Sequence, residues 1–305
     1  APMSEDQAAI KAAVEKTLEP FGDEYWAKTD ETGDWPEEFC DAMAAGGWLG
    51  IAFPEEYGGA GLGLTEAALM MQTVTRTGAG FSAASAIHLN IFGPKPLERF
   101  GNPEQKRENL PKIISGQEKM CFAVTEPNSG LDTSSERQPI PKMGRKAVEC
   151  NMLYIDGLEV PKDHLIGEEG EGFKYLLQGL NPERVLFAVE SIGLGFSALE
   201  RAANYAKERV VFGRPIGQNQ GIQHPLAKSW AELSAAELLA YKAAGLYDAG
   251  QDCGAEANSA KYLGTEAGFR ACETAVLTHG GMGYAKEYHV ERMMREAMLA
   301  RIAPV

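Results

Sequence analysis

The sequence predicts a mainly helical protein with a short β segment in the middle of the chain. Apolar residues recur at helical spacing through most of residues 4–115, and again from Gly172 onward. Between these regions the spacing changes to the alternation expected of strands, and turn residues become frequent. A hydrophobic content of 44% over 305 residues, with 24% charged residues, is ordinary for a globular protein and supplies enough apolar side chains for a core.

The charge and the cysteine content exclude several classes of protein. A formal net charge of -14 argues against nucleic acid and anionic membranes as main partners. No apolar run reaches transmembrane length and no signal-peptide pattern is visible, so no membrane insertion is expected. The five cysteines are scattered without a CxxC pair, which suits the reducing cytoplasm of a bacterium or an organelle matrix. The histidines show no ligand spacing, so no metal site is expected.

The first region, residues 1–119, is predicted to be an N-terminal helical domain. Its opening segment, 4–20, has apolar residues on one side of a helix, and a second helix should run through Pro36 and end at Gly46. Thr65 is predicted to cap a later helix. Asn102 followed by Pro103 is a strong start signal, because Asn is a favoured N-cap and Pro is favoured at the first helical position.

The middle region, residues 120–170, is predicted to be a β domain. Three stretches alternate or favour strand residues, namely 120–125, 147–154 and 158–160. Three short strands offer little area for a stable sheet. The segment therefore looks incomplete from its length alone.

The last region, residues 171–305, is predicted to be a C-terminal helical domain. Its central feature is a long helix that should begin at Asn181 and Pro182, repeating the Asn-Pro signal. Glu183 would then lie in the first helical turn. One interpretation is that its carboxylate balances the helix dipole, and the other is that it does chemistry.

Two further stretches are candidates for binding a ligand. Residues 125–130 follow a predicted strand and offer backbone N–H groups and a hydroxyl. Residues 209–216, followed by Gln220, place two arginines beside an aromatic residue, which is either a phosphate site or a basic helix end. No glycine-rich stretch matches GxGxxG after a strand or a Walker loop.

Several motifs in this order resemble the acyl-CoA dehydrogenase family, over essentially the whole sequence. The segments are 54–59 (Pro-Glu-Glu-Tyr-Gly-Gly), 122–128 (Phe-Ala-Val-Thr-Glu-Pro-Asn), 167–173 (Gly-Glu-Glu-Gly-Glu-Gly-Phe), 208–216 (Glu-Arg-Val-Val-Phe-Gly-Arg-Pro-Ile) and 279–284 (His-Gly-Gly-Met-Gly-Tyr). The resemblance implies a fold with an N-terminal helical domain, a β-barrel-like middle domain and a C-terminal four-helix bundle.

The resemblance also implies FAD as cofactor, an acyl-CoA thioester as substrate and an electron-transferring flavoprotein as partner. In the family's reaction the α-proton leaves as H⁺ and the β-hydrogen as hydride to the flavin, giving a trans-2-enoyl-CoA. Many members carry the catalytic base in a Tyr-Glu-Gly-Thr loop, but the matching stretch 301–305 contains no Glu. The isovaleryl and long-chain branches place the base early in the long helix, at the position of Glu183 here.

The remaining site residues follow from the same resemblance, position by position. The segment 209–220 matches one that reaches the FAD of a neighbouring subunit, so a homo-oligomer, a dimer of dimers, is expected. The residues expected at FAD are Phe122, Val124, Thr125, Gly130, Arg209, Phe212, Gln220 and Gly281. Those expected at the substrate are Asn181, Arg184 and Ala303, the last through its N–H to the thioester oxygen.

The sequence departs from the family in its middle domain. Between Ser135 and Glu136 the family has further strands, including one that packs on the flavin, and we expect the natural protein to carry them. Two alternative functions stay open at this stage. One is an acyl-CoA oxidase-like flavoenzyme on the same scaffold, and the other is a non-catalytic helical assembly protein.

Overall fold

The computed structural model describes residues 3–121, 137–154 and 157–303, and the order helices, β segment, helices is as predicted. Within the described N-terminal part the chain forms seven α-helices. They are α1 (Glu5–Leu18), α2 (Asp23–Thr32), α3 (Glu37–Ala45), α4 (Leu64–Val74), α5 (Gly80–Phe92), α6 (Lys95–Phe100) and α7 (Pro103–Ile114). None of the helices in the described part is both long and apolar enough to cross a membrane.

Helix starts in this region show local and long-range capping side by side. Asn102 caps α7 as predicted, because its side-chain oxygen accepts from two backbone N–H groups. The Gln105 side-chain oxygen in turn accepts from the Asn102 N–H. The prediction for Thr65 is wrong, since α4 already begins at Leu64. The carboxylate of Asp248 instead accepts from the Leu64 and Thr65 N–H groups at 2.6 and 2.9 Å.

The β segment is small. Strand β1 (Arg137–Pro139) pairs antiparallel with β2 (Asn151–Leu153), with Arg137 opposite Leu153. The strand predicted over 147–154 is therefore shorter than expected, and residues 158–160 form no strand. Leu158 is 68% exposed, so no strand of the described residues covers this stretch. The prediction for 120–125 lies almost wholly outside the described residues.

The C-terminal part is a bundle of four helices. They are α8 (Gly172–Glu208), α9 (Gln220–Asp248), α10 (Gly254–His279) and α11 (Val290–Ile302), with a hairpin of β3 (Val210–Val211) and β4 (Arg214–Pro215) between the first two. The predicted helix start at Asn181 and Pro182 is wrong, because α8 begins at Gly172 and continues through Pro182. Packing on both sides of α8 outweighs the one backbone hydrogen bond that proline removes.

Helix α8 lies at the centre of the core and packs against α4, α5, α9, α10 and α11. The α8 side chains from Val185 to Ala202 are almost all buried. Glycines let α10 approach closely: a Cβ added at Gly268 would come within 2.4 Å of the Ser191 carbonyl oxygen. Residues of the N-terminal and C-terminal helices belong to one continuous hydrophobic cluster.

Ion pairs also join the N-terminal helices to the bundle. Arg295 of α11 contacts Asp30 of α2 at 2.7 Å, and Arg201 of α8 contacts Asp23 at 2.7 Å. Together with the Asp248 cap, which joins α4 to the end of α9, these bonds fix the N-terminal helices against α8, α9 and α11. The position of the site described next follows from this arrangement.

Candidate active site

Glu183 is a buried carboxylate in the interior of α8, twelve residues into the helix counted from Gly172. The residue is 6% exposed, and no residue in the described part of the chain hydrogen-bonds its Oε2 atom. The expectation that Glu183 lies in a first helical turn is therefore corrected, and with it the dipole explanation, because the dipole acts only within the first or last turn. A buried oxygen without a partner is instead what a site for an incoming proton requires.

The surroundings of Glu183 raise its pKa from 4.5 to about 7. Burial is the main cause, because removal from water disfavours the charged form, and the charge of Glu190 adds to it. The cations of His88, Arg184 and Lys261 act in the opposite direction. The carboxyl group therefore exchanges a proton close to neutral pH, where a general base works best.

Two of the predicted substrate residues lie beside Glu183 on α8. Arg184 donates from Nη1 to the Asn181 side-chain oxygen at 3.0 Å, and its buried Nε bonds to none of the residues that the structure describes. The structure thus brings Asn181, Arg184 and Glu183 together within one helical turn. Arg184 Nε is thus a donor that the described residues leave unused, on the residue that follows Glu183.

Ala303, the third predicted substrate residue, follows α11 directly. Its N–H donates to the Leu299 carbonyl at 2.9 Å, so the donation expected from this group to a thioester oxygen would need that bond to open. The physical reason is that the N–H completes the last turn of α11. Its carbonyl accepts from Lys261 Nζ at 2.8 Å.

The structure also contains a buried pair of ionisable side chains, His88 and Glu190, that the sequence analysis missed. His88 of α5 contacts Glu190 of α8, Nδ1 to Oε1, at 2.6 Å, and the two side chains are 5% and 1% exposed. The His88 ring packs edge-on against Phe187 and Phe92 at centroid distances of 5.2 and 4.6 Å. The available signal was a His and a Glu within otherwise apolar helical stretches.

The hairpin predicted to bind a cofactor lies at the far end of α8. Arg209 follows the helix and is exposed, Phe212 at the turn is fully exposed with φ 52°, and Gln220 begins α9 on the surface. At 1.5 Å per residue, the 26 residues from Glu183 to Arg209 span about 39 Å along the helix axis. These residues are therefore not part of the Glu183 site of the same chain.

Gly281 lies in a short helical turn, Gly280–Tyr284, and is exposed. The preceding His279 stacks on Tyr205 of α8 at 4.2 Å, which holds the turn near the same end of α8 as the hairpin. A Cβ at Gly281 would meet open space, so backbone there is accessible to a ligand. The remaining predicted cofactor residues, Phe122, Val124, Thr125 and Gly130, lie outside the described residues.

A cavity of about 710 Å³ lies beside a different face of α8, against Pro182 and Leu186. It is bounded mainly by α4 and α6, and neither Glu183 nor His88 lines it. Its Lys95 is paired with Glu98 at 2.6 Å. The cavity is therefore separate from the carboxylate that the chemistry would use.

Comparison with known proteins gives a consistent result. Sequence models of the "Acyl-CoA dehydrogenase, N-terminal domain" and "C-terminal domain" match residues 4–117 and 170–304. An acyl-CoA dehydrogenase of Mycobacterium tuberculosis is 33% identical over 366 residues, covering 99% of this chain and 93% of that protein. This alignment is longer than the chain, so the relative has residues without a counterpart here, as a shortened middle domain would require.

Two further proteins agree. An acyl-CoA dehydrogenase of Bacillus subtilis is 33% identical over 351 residues, covering 96% of this chain and 91% of that protein. A solved structure described as "Electron transferring flavoprotein of Acidaminococcus fermentans" contains a chain that superposes with a TM-score of 0.92 at 27% identity, covering 99% of this chain and 94% of that one. The chain therefore belongs to the acyl-CoA dehydrogenase family of FAD-dependent oxidoreductases.

Proposed function

We propose that this protein oxidises an acyl-CoA thioester between the α- and β-carbons to a trans-2-enoyl-CoA, with Glu183 as the general base. The observation that carries the proposal is the Glu183 carboxylate itself. It is buried on a rigid helix, has an oxygen without a partner, and has a pKa raised to about 7. A hydrogen α to a thioester is a weak acid, so its removal needs a desolvated carboxylate of this kind.

The residues of the chain itself remove the α-proton and hold the substrate. FAD, when bound, supplies the acceptor for the β-hydrogen. Glu183 takes the α-proton on its free oxygen, and Arg184 and Asn181 hold the CoA chain beside it through the donor that Arg184 has left over. The buried surroundings exclude water, which strengthens each of these electrostatic contacts.

Arg209 and Phe212 of the hairpin have the chemistry to hold part of a flavin dinucleotide. The FAD that they contact would lie beside Glu183 of a second copy, because they are too far from Glu183 of their own chain. An exposed Arg suits a pyrophosphate and an exposed Phe suits a ring face, and both features are present at Arg209 and Phe212. Their distance of about 39 Å from Glu183 supports a cofactor shared with a second copy. Gln220 and Gly281 would complete that contact, with Phe122, Val124, Thr125 and Gly130 on the flavin side.

A homo-oligomer, and specifically a dimer of dimers, follows from this proposal. The bundle exposes large apolar side chains that a second copy would cover. They are Trp230 and Leu238 of α9 and Tyr262 and Leu277 of α10, all at least 60% exposed. An electron-transferring flavoprotein is the proposed electron acceptor, supported by the name of the solved structure above. The bacterial relatives support a cytoplasmic location.

The proposal is tested by titrating the protein with FAD and adding acyl-CoAs anaerobically. We expect FAD to bind and its absorbance to bleach with at least one acyl-CoA, because the thioester is then oxidised at the flavin. Failure to bind FAD would favour a helical assembly protein. Rapid reoxidation of the bleached flavin by oxygen would favour an acyl-CoA oxidase.

Phe212→Ala is expected to weaken FAD binding by roughly tenfold, since burying a Phe side chain contributes about 1.5–3 kcal/mol. The melting temperature of the protein without FAD should not change, because the ring is fully exposed in the single chain. Fluorescence titration with FAD measures the effect. Phe173→Ala is the matched control, an exposed aromatic at the start of α8. Equal FAD affinity in the parent and both variants would count against a role for the hairpin.

A further inference from the structure

The His88–Glu190 pair leaves one buried atom without a partner. His88 Nδ1 contacts the Glu190 carboxylate, while its other ring nitrogen, Nε2, is buried and has no hydrogen-bond partner among the described residues. His88 is 4% exposed as a residue, so bulk water does not reach this nitrogen freely. Buried polar atoms are nearly always hydrogen-bonded in native proteins, so an atom of this kind points to a missing partner.

The position of the pair relates it to the reacting end of the substrate. Glu183, Phe187 and Glu190 follow one another at spacings of four and three residues, so they lie along one face of α8. Seven residues correspond to about 10 Å along the axis. His88 packs against Phe187 and bonds to Glu190, and its charge acts on Glu183. The free nitrogen thus lies one to two turns from the base, where the outer part of an acyl chain would extend.

The chemistry of the pair restricts what the nitrogen can bind. A carboxylate oxygen only accepts, so Nδ1 carries a proton and donates it to Glu190. Burial lowers the pKa of His88, but Glu190 and then Glu183 raise it by more, so the pKa lies above its usual value. Nε2 is a donor when the ring is protonated and an acceptor when the ring is neutral. An anionic acceptor would face the two carboxylates, so a neutral oxygen suits the position, and a hydroxyl can pair with either form of the ring.

We propose that the His88–Glu190 pair is a specificity element of the acyl pocket, at which Nε2 hydrogen-bonds a neutral oxygen, best a hydroxyl, on the outer acyl chain. The protein then prefers hydroxylated acyl-CoAs to plain alkyl ones of equal length. This inference rests on the proposed function, because it concerns the substrate of the same site. His88 acts here on substrate binding, while proton removal stays with Glu183.

The test compares three sets of acyl-CoAs from butanoyl to octanoyl that end in a methyl, a hydroxyl or a carboxylate group. We expect kcat/KM for anaerobic flavin reduction to favour the best hydroxylated compound by at least roughly tenfold over its methyl counterpart, because an unpaired buried donor discriminates strongly. The carboxylated set should be the poorest. Calorimetric titration with the corresponding trans-2-enoyl-CoAs should give the same order of affinities without any turnover.

Variants assign the preference to the pair. His88→Phe should abolish the kcat/KM advantage of the hydroxyl compound over its methyl counterpart, whatever its effect on the rate with plain acyl-CoAs, and His88→Gln, which keeps an N–H donor, should retain part of that advantage. Ser191→Ala is the matched control, because Ser191 is buried on α8 and lies against Gly268 of α10. If His88→Phe does not fold because Glu190 loses its partner, His88→Phe combined with Glu190→Gln removes that charge.

The outcomes separate the two proposals. Equal kcat/KM for methyl and hydroxyl compounds in the parent protein overturns the inference, and the proposed function stands. A hydroxyl preference that survives in His88→Phe overturns the assignment to this pair. A protein that binds FAD but is reduced by none of the three sets contradicts the proposed function, and the inference falls with it.

Discussion

Replacing Glu183 with Gln is expected to slow flavin reduction by acyl-CoA at least about a hundredfold. General-base catalysis contributes roughly 10²–10⁴ in rate, and the amide cannot accept the α-proton. Gln has nearly the shape of the protonated acid, so the helix and the substrate contacts of Arg184 should stay in place. Anaerobic stopped-flow measurement of flavin bleaching gives the rate directly, and substrate affinity from the same titration shows whether binding is preserved.

Two variants make this result specific to the carboxylate at this position. Glu200→Gln makes the same change on the exposed side of the same helix, and its rate should stay within about twofold of the parent, since surface changes have small effects. Glu183→Asp keeps a carboxylate but withdraws it by one methylene group, so an intermediate rate is expected. Flavin reduction by Glu183→Gln at the parental rate would place the base elsewhere in the chain.

Glu183→Gln is also expected to raise the free energy of unfolding at neutral and alkaline pH by up to about 3 kcal/mol. The pKa of Glu183 rises from 4.5 to about 7 on folding, and one pKa unit corresponds to 1.36 kcal/mol. Between these two pH values the folded state holds a proton that the unfolded chain has lost, so the free energy of unfolding falls as pH rises. Gln carries no such charge. The gain should therefore be absent below pH 4.5, grow through the interval and level off above pH 7.

Urea denaturation over this pH range measures the difference between the two proteins. FAD must be absent from both, or equally saturating in both, because a ligand of the native state adds its own stabilisation. Glu200→Gln should show no comparable pH-dependent gain, since its carboxylate is in water in both states. A gain of equal size at every pH would mean that repacking, and not the loss of a buried charge, stabilises the variant.

The helices and the family could be predicted from the sequence, because both depend on local pattern. Residues 102–103 and 181–182 show the limit of such patterns. Asn-Pro begins a helix at Asn102 but lies inside one at Asn181, where partners on both sides of α8 keep the helix continuous through Pro182. Sequence spacing carries no information about that packing. The same holds for Asp248, which caps a helix that begins 184 residues earlier.

The candidate site was predictable to a similar degree. Glu183 was identified as a candidate base through the resemblance to a family. Its predicted place in the first turn of a helix was wrong, because α8 begins at Gly172. The pair of His88 and Glu190 could not be found, because its members are 102 residues apart and each is unremarkable in its own helix. Ala303 was assigned a donor that α11 uses for its own last turn. Contacts between distant segments decide the first two cases, and the local bond that ends α11 decides the third.

The shared core of the N-terminal and C-terminal helices has a consequence for how the chain can vary. Both sets of helices contribute to one hydrophobic cluster, and Val148 is its one member from the described part of the β segment. We therefore expect the helical assembly to unfold as one cooperative unit to which the described part of the β segment contributes little. Insertions or deletions in that segment would therefore leave the packing of the helical core unchanged, and we expect its length to be set by ligand binding.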